Sequence, residues 1–267
     1  MKLFWHLTLF FTTSSLLSAN ASEIIHQECF LLADIESGQI IRNTDPAFCK
    51  ERLYPCSSFK VPLAVMGFDS GILKDANTRM KWDGTKQMIP AWERDHTAAS
   101  WLQDSVVWYS QRITSQLGMA RVLKFLKDWD YGNQDFSGGL THAWLSSTLK
   151  ISAVEQTDFI RKLWAKKLGT NPNAIEKTLN ILPVAEDSSD LKVIGKTGSG
   201  FSWEDPKAKQ QSDALFRVGW YVGLVKKAGK TYAFAAAIKD RSRRGEYVFT
   251  GQEAKKFVLK LLKETKL

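Results

Sequence analysis

The stretch Leu53–Met66, LYPCSSFKVPLAVM, places Ser57 three residues before Lys60 at the start of an apolar run. A helix N-terminus is the simplest expectation, because Ser57 or Ser58 can cap free backbone N–H groups ahead of such a run. Residues at i and i+3 share a helix face, so the Ser57 hydroxyl and the Lys60 amine also come within reach of each other. Phe59, Val61, Leu63 and Ala64 flank the lysine with apolar surface. Desolvation favours the neutral amine, which can take a proton from a neighbouring hydroxyl. Serine and lysine at this spacing are common, and only companion motifs can turn the pair into chemistry.

Outward from this stretch the chain reads as strands, helices, strands and a helix. CFLLADIESGQIIRN (29–43) predicts two strands around a turn at Ser37-Gly38. From Leu63 to Leu182 the pattern is mostly helical, as in MARVLKFLKDW (119–129) and AVEQTDFIRKLWAKKLG (153–169). LKVIGKTGSG (191–200), FRVGWYVGLVKK (216–227) and KTYAFAAAIKD (230–240) return to strands, with the last turn at Ala228-Gly229. GQEAKKFVLKLLKETKL (251–267) closes as an amphipathic helix with Ala254, Phe257, Val258, Leu261 and Leu262 on one face. The order predicts an α+β fold with a central antiparallel sheet, about 22–62 and 186–267, flanked by helices. An all-helical lobe, about 63–185, is inserted within this single domain of residues 22–267, and a ligand belongs in the cleft between lobe and sheet.

The first residues, MKLFWHLTLFFTTSSLLSANAS, combine one early positive charge, an apolar stretch and small residues ending at Ala21. That pattern predicts a cleavable signal peptide over 1–21 and an exported, periplasmic protein with no membrane attachment after cleavage. Thr12, Thr13, Ser14 and Ser15 break the apolar run well short of a membrane span. Cleavage takes Lys2 from the 37 basic residues and nothing from the 28 acidic ones, leaving a net charge of +8. The basic residues are scattered among acidic ones, a solvated surface rather than a nucleic-acid stripe. Export makes a disulfide plausible among Cys29, Cys49 and Cys56. Cys56 directly precedes Ser57 and is expected to point into packing, which favours Cys29–Cys49. His26, His96 and His142 are too dispersed for a zinc motif, and no metal is expected.

Four further stretches accompany Ser57-x-x-Lys60. They are Ser105-Val106-Val107, Tyr131-Gly132-Asn133, Trp144-Leu145 and Lys196-Thr197-Gly198. Singly they read as a serine on an apolar segment, a turn, core residues and a strand edge. In this order they resemble the penicillin-recognising serine enzymes, and among those the class D (OXA-type) β-lactamases. The resemblance extends over the whole mature chain, through IPAWERD (89–95), SVVWYSQRIT (105–114), GLTHAWLSSTLKIS (139–152) and GWYVGLV (219–225).

The resemblance implies a β-lactamase or transpeptidase-like fold and β-lactam hydrolysis through a serine acyl-enzyme, conferring antibiotic resistance. It makes Ser57 the nucleophile, with backbone N–H groups of Ser57 and Ser199 as oxyanion hole. Ser105 and Lys196 would pass a proton to the leaving nitrogen, and Lys196 and Thr197, with Gly198 and Ser199, would face the substrate carboxylate. Ser105-Val106-Val107 stands where class A enzymes carry S-D-N, so the class A base is missing. The resemblance then implies Lys60 carboxylated by CO₂ or bicarbonate, held by the Trp144 indole N–H, with Val107 and Leu145 as apolar lining. No other cofactor is implied.

One departure concerns the substrate carboxylate. Where related chains tend to carry G-x-R, this one reads Gly251-Gln252-Glu253, which leaves Arg241, Arg243, Arg244 or the Lys196-Thr197-Ser199 group as alternatives. The rival functions are a β-lactam sensor that is acylated and turns over slowly, a cell-wall peptidase, and a non-catalytic binding protein. Substrate spectrum and the choice between monomer and homodimer stay open at this level.

Overall fold

Residues rich in branched and aromatic side chains at both ends of the chain build one antiparallel sheet. The computed structural model describes residues 26–203, 215–241 and 249–265. The expected signal peptide, Arg243, Arg244 and the side chain of Arg241 lie outside the described residues. Strand β1 (His26–Asp34) turns into β2 (Ile40–Asn43). The lobe follows with α1 (Lys60–Asp69), the short strands β3 (Arg79–Met80) and β4 (His96–Thr97), and helices α2 (Ala98–Asp104), α3 (Val107–Leu117), α4 (Met119–Asp128), α5 (Ala153–Trp164) and α6 (Pro172–Asn180). The chain returns through β5 (Val184–Asp187), β6 (Leu191–Trp203), β7 (Leu215–Lys227) and β8 (Lys230–Arg241) to α7 (Thr250–Glu264).

The large sheet runs β2-β1-β8-β7-β6-β5, so its first strand pairs with its last long one. Both faces are buried because successive side chains point to opposite sides of a strand. Phe30, Leu32, Phe234 and Ile238 pack with Ala254, Val258 and Leu262 of α7. Leu31, Ala233, Ala235 and Ala237 face the other way into the core shared with the lobe, and the small alanines let α5 lie close on β8.

Helix α1 is buried from Lys60 through Phe68, apolar nearly all round, which suits a helix at the centre of a domain. The expected serine cap is not what starts it. Ser57 and Ser58 sit in a 3₁₀ turn over Cys56–Phe59, and the position before α1 is Phe59, which makes no side-chain cap. The Ser58 hydroxyl instead donates to the Pro55 carbonyl at 2.7 Å, while the Lys60 N–H reaches back to the Ser57 carbonyl. The tight turn supplies backbone partners that a cap would otherwise provide. True capping boxes occur further along, at Thr97/Ser100 on α2 and Ser152/Glu155 on α5.

A disulfide joins Cys29 on β1 to Cys49 in the 3₁₀ turn Phe48–Lys50, and both residues are wholly buried. Cys56 is a buried free thiol. Among the described residues no helix is long and apolar enough to cross a membrane.

The Cys29–Cys49 bridge closes a loop with a sequence separation of 20. On the chain-entropy account such a loop contributes about 3 kcal/mol. The double variant Cys29→Ala/Cys49→Ala should lose about that much in urea unfolding, and unreduced peptide mapping should return a linked 29/49 peptide with Cys56 free. A linked 49/56 peptide would contradict the pairing.

Candidate active site

The tight turn that displaces a cap also aims two side chains at each other. Lys60 Nζ lies 3.0 Å from Ser57 Oγ. Lys60 is fully buried, and burial first, then the charge of Lys196, holds its pKa well below the ordinary 10.5. A neutral amine beside a serine hydroxyl is a base in contact with a nucleophile.

Trp144 closes the surroundings of this turn. Its indole stacks on Phe59 with ring centroids 5.5 Å apart and on Phe136 at 6.0 Å, and its carbonyl accepts the Cys56 N–H at 3.0 Å. The indole is fully buried, yet its Nε1 has no hydrogen-bond partner among the described residues. Buried indole N–H groups are ordinarily paired, and an unpaired one marks a donor reserved for a further acceptor.

Tyr131-Gly132-Asn133 acts as a brace rather than as a wall of the cleft. Asn133 donates through Nδ2 to the Thr148 carbonyl at 2.8 Å, and its Oδ1 accepts the Lys150 N–H at 2.8 Å, which holds the segment after Trp144. Tyr131 Oη donates to Gln156 Oε1 at 3.3 Å, and Gln156 Nε2 donates to Ser58 Oγ at 2.8 Å. The brace thus reaches the nucleophile turn itself.

The opposite side is strand β6. Its edge partner β5 ends its pairing at Ile194, so Lys196 onward meets the nucleophile turn instead. An added Cβ on Gly198 would lie 2.8 Å from both the Pro55 carbonyl oxygen and the Ser58 nitrogen, so glycine is what permits this approach. Lys196 is 2% exposed, and burial, followed by the charge of Lys255, lowers its pKa to about 7. Its Nζ donates to the Thr197 carbonyl at 2.9 Å. Ser199 Oγ accepts the Gly251 N–H at 2.9 Å, which brings the start of α7 onto the same strand.

A cleft of about 950 Å³ opens between lobe and sheet. Ser57, Ser105, Val107, Leu145, Thr197 and Ser199 line it, whereas Lys60, Trp144, Lys196 and Gly198 stand behind its wall. Ser105 ends α2 in a left-handed conformation, φ +61°, a sparsely populated state that turns the chain sharply into α3. Among the described residues no hydrogen bond joins Ser105 to Lys196. The cleft is also lined by Met88, Trp92, Ser146, Phe249 and Gln252, which the sequence motifs did not single out. Arg217 lies near the start of α7 but is held by Asp240, with Nε–Oδ1 at 2.7 Å, and by Glu253. Among the described residues no cluster of His, Cys, Asp or Glu is suited to a metal ion.

A protein-family model described as the penicillin binding protein transpeptidase domain matches residues 29–263. The chain is 37% identical over 241 residues to β-lactamase OXA-1 of Escherichia coli, covering 88% of this chain and 83% of that one. It is 36% identical to β-lactamase OXA-9 of Klebsiella pneumoniae over 242 residues, 86% of each chain.

The chain belongs to the class D β-lactamases. Among solved members of that family, the OXA-427 class D β-lactamase superposes with a TM-score of 0.79 at 34% identity, covering 89% of this chain and 98% of that one. As a class D β-lactamase the chain is a hydrolase, and Ser57 lines the cleft between lobe and sheet with Lys60 behind it.

The depressed pKa of Lys196 has a measurable consequence. Its ordinary value is 10.5 and its folded value about 7, so the unfolded chain binds the extra proton between those limits. Stability therefore rises with pH across roughly 7 to 10.5, by up to about 1.4 kcal/mol per pH unit for this lysine, and the contribution is lost below pH 7. Lys60 acts with the same sign. Urea unfolding in bicarbonate-free buffer should show this slope, and Lys196→Met should flatten it; an equal slope in the variant would refute the burial effect.

Proposed function

We propose that this chain hydrolyses β-lactam antibiotics through an ester on Ser57, with carboxylated Lys60 as the general base. The observation that carries the proposal is the buried Lys60 amine in contact with Ser57 Oγ, its pKa held well below the ordinary value by burial, together with a buried Trp144 N–H that lacks an acceptor among the described residues. A neutral amine is the form that reacts with CO₂, and the unpaired indole N–H suits the resulting anion. The carbamate, when formed, supplies an anionic oxygen base where an uncharged amine would otherwise stand.

Ser57 Oγ attacks the lactam carbonyl carbon while its proton passes to the Lys60 side chain. The backbone N–H groups of Ser57 and Ser199 stabilise the oxyanion, a contribution of about 3 kcal/mol per donor in comparable sites. The C–N bond breaks, and the proton taken from Ser57 is relayed from the Lys60 side chain through Ser105, assisted by Lys196, to the departing nitrogen, which leaves Lys60 free to act as base again. Water deprotonated at the Lys60 side chain then cleaves the ester and frees Ser57. Lys196 and Thr197 face the substrate carboxylate, with the α7 end of the cleft at Ser199 and Gln252 beside them. Val107 and Leu145 limit water around Lys60. Export to the periplasm, where such an activity confers resistance, belongs to the same proposal.

A β-lactam sensor would share the acylation but not the fast second step. Ser57→Ala should gain no penicilloyl mass on treatment with penicillin; a stable active-site adduct in that variant would exclude Ser57 as nucleophile.

The base is tested separately. Wild-type turnover of a chromogenic cephalosporin should fall when bicarbonate is stripped, most strongly at acidic pH where the amine is protonated, and recover when it is restored. Trp144→Phe should acylate normally and deacylate at least about 10²-fold more slowly, the usual scale of a lost general base. Carbon-13 NMR with labelled bicarbonate should show a carbamate signal in the active enzyme, and its absence would overturn the mechanism.

A further inference from the structure

Cys56 and Ser146 have no role in the reaction proposed above, yet both adopt left-handed backbones, φ +50° and +53°. Residues other than glycine stay in such conformations only where surrounding contacts hold them there. Those contacts form a single chain of hydrogen bonds under the cleft. The Phe201 N–H of β6 donates to Ser146 Oγ at 3.0 Å. The hydroxyl and backbone N–H of Ser146 face the Cys56 sulfur, and the thiol donates to the Tyr54 carbonyl at 3.4 Å. The same carbonyl accepts the Trp220 indole N–H from β7 at 2.8 Å.

The chain therefore ties two strands of the sheet to the turn that carries Ser57 and to the lobe segment that carries Trp144. Cys56 touches that segment twice, since its N–H also donates to the Trp144 carbonyl at 3.0 Å. Gly200 leaves the space: an added Cβ would lie 2.4 Å from Cys56 Sγ and 3.0 Å from Ser146 Oγ. Burial pushes the Cys56 thiol up to about 12. It stays protonated at neutral pH, remains a donor to Tyr54, and does not compete with Ser57 as a nucleophile.

We propose that Ser146 and Cys56 are positioning residues that clamp the Trp144-Leu145 segment between the nucleophile turn and β6, and so hold the Trp144 indole in register with Lys60. The proposal rests on the carboxylated-lysine reading above. A serine at position 146 does what alanine cannot: its hydroxyl accepts the Phe201 N–H and sits beside the Cys56 sulfur against Gly200. Losing it removes the Phe201–Ser146 hydrogen bond and frees the segment to shift. The loss should appear first in retention of the carbamate, because that retention depends on one indole N–H being in place.

The test measures the bicarbonate concentration for half-maximal steady-state turnover, with the acylation rate and melting temperature recorded alongside. Ser146→Ala should raise that concentration roughly three- to tenfold, the scale of one lost buried hydrogen bond, while acylation stays near wild type. Ser146→Gly relaxes the left-handed backbone but still lacks the hydroxyl, so it should shift in the same way and serves where the alanine variant folds poorly. Cys56→Ser preserves the chain and should keep the wild-type dependence, whereas Cys56→Ala should resemble Ser146→Ala. A wild-type dependence in Ser146→Ala or Ser146→Gly, or a shift in Cys56→Ser equal to that of Cys56→Ala, would overturn the clamp. A wild-type enzyme with no bicarbonate dependence would instead overturn the reading on which the clamp rests.

Discussion

The burial of one amine against one hydroxyl is the constraint around which this molecule is arranged. An ammonium group at Lys60 would have to shed its water with no carboxylate beside it, which is strongly unfavourable. Burial, with the charge of Lys196, lowers its pKa well below the ordinary 10.5 and so favours the neutral amine. Helix α1 can then be buried along its whole length, and the polar end of its first residue meets the Ser57 hydroxyl.

The two halves of the fold contribute opposite sides of this arrangement. The lobe supplies the indole of Trp144, the brace through Asn133 and Gln156, and the apolar lining at Val107 and Leu145. The sheet supplies β6, whose Lys196 is a second buried amine with a pKa near the working pH. Burial lowers both lysines, with the charge of Lys196 adding to the effect on Lys60 and that of Lys255 to the effect on Lys196, and perturbed amines of this kind cluster where protons are moved. The cleft runs between these walls, so its residues come from distant parts of the chain: the 57 turn, the 105 turn, the 145 segment, β6 and the start of α7.

The end of the cleft beside α7 differs from the pattern that the resemblance supplies, with Gly251-Gln252-Glu253 in place of G-x-R. Arg217 is committed to Asp240 and Glu253 within the sheet and the first turn of α7. Gln252, Ser199 and Thr197 line that end instead. Lys196 Nζ stands behind Thr197, 3.4 Å from its Oγ1.

Much of the architecture was legible in residue order. Branched and aromatic side chains marked β1, β2 and β6 to β8, and three-and-four spacing marked α4, α5 and α7, because a helix that buries one face repeats its apolar residues with the helical period. The serine-lysine spacing brought Ser57 and Lys60 together through local geometry alone. The expected cap was misread, since a proline-led 3₁₀ turn satisfies the same backbone donors without a side chain. Tyr131-Gly132-Asn133 was visible as a motif, but its bracing role depends on partners at 148, 150 and 156. Cys56 was legible as a buried thiol outside the disulfide, but its place beside Ser146 was not: two left-handed backbones in non-glycine residues, 90 positions apart, come together only after β6 packs on the nucleophile turn. The sequence by itself determined which elements form and which side chains could react. Tertiary packing decided which amines lose their water, which donors are left without acceptors, and which distant loops meet, because desolvation and hydrogen-bond satisfaction are properties of the assembled interior and not of neighbouring residues in the chain.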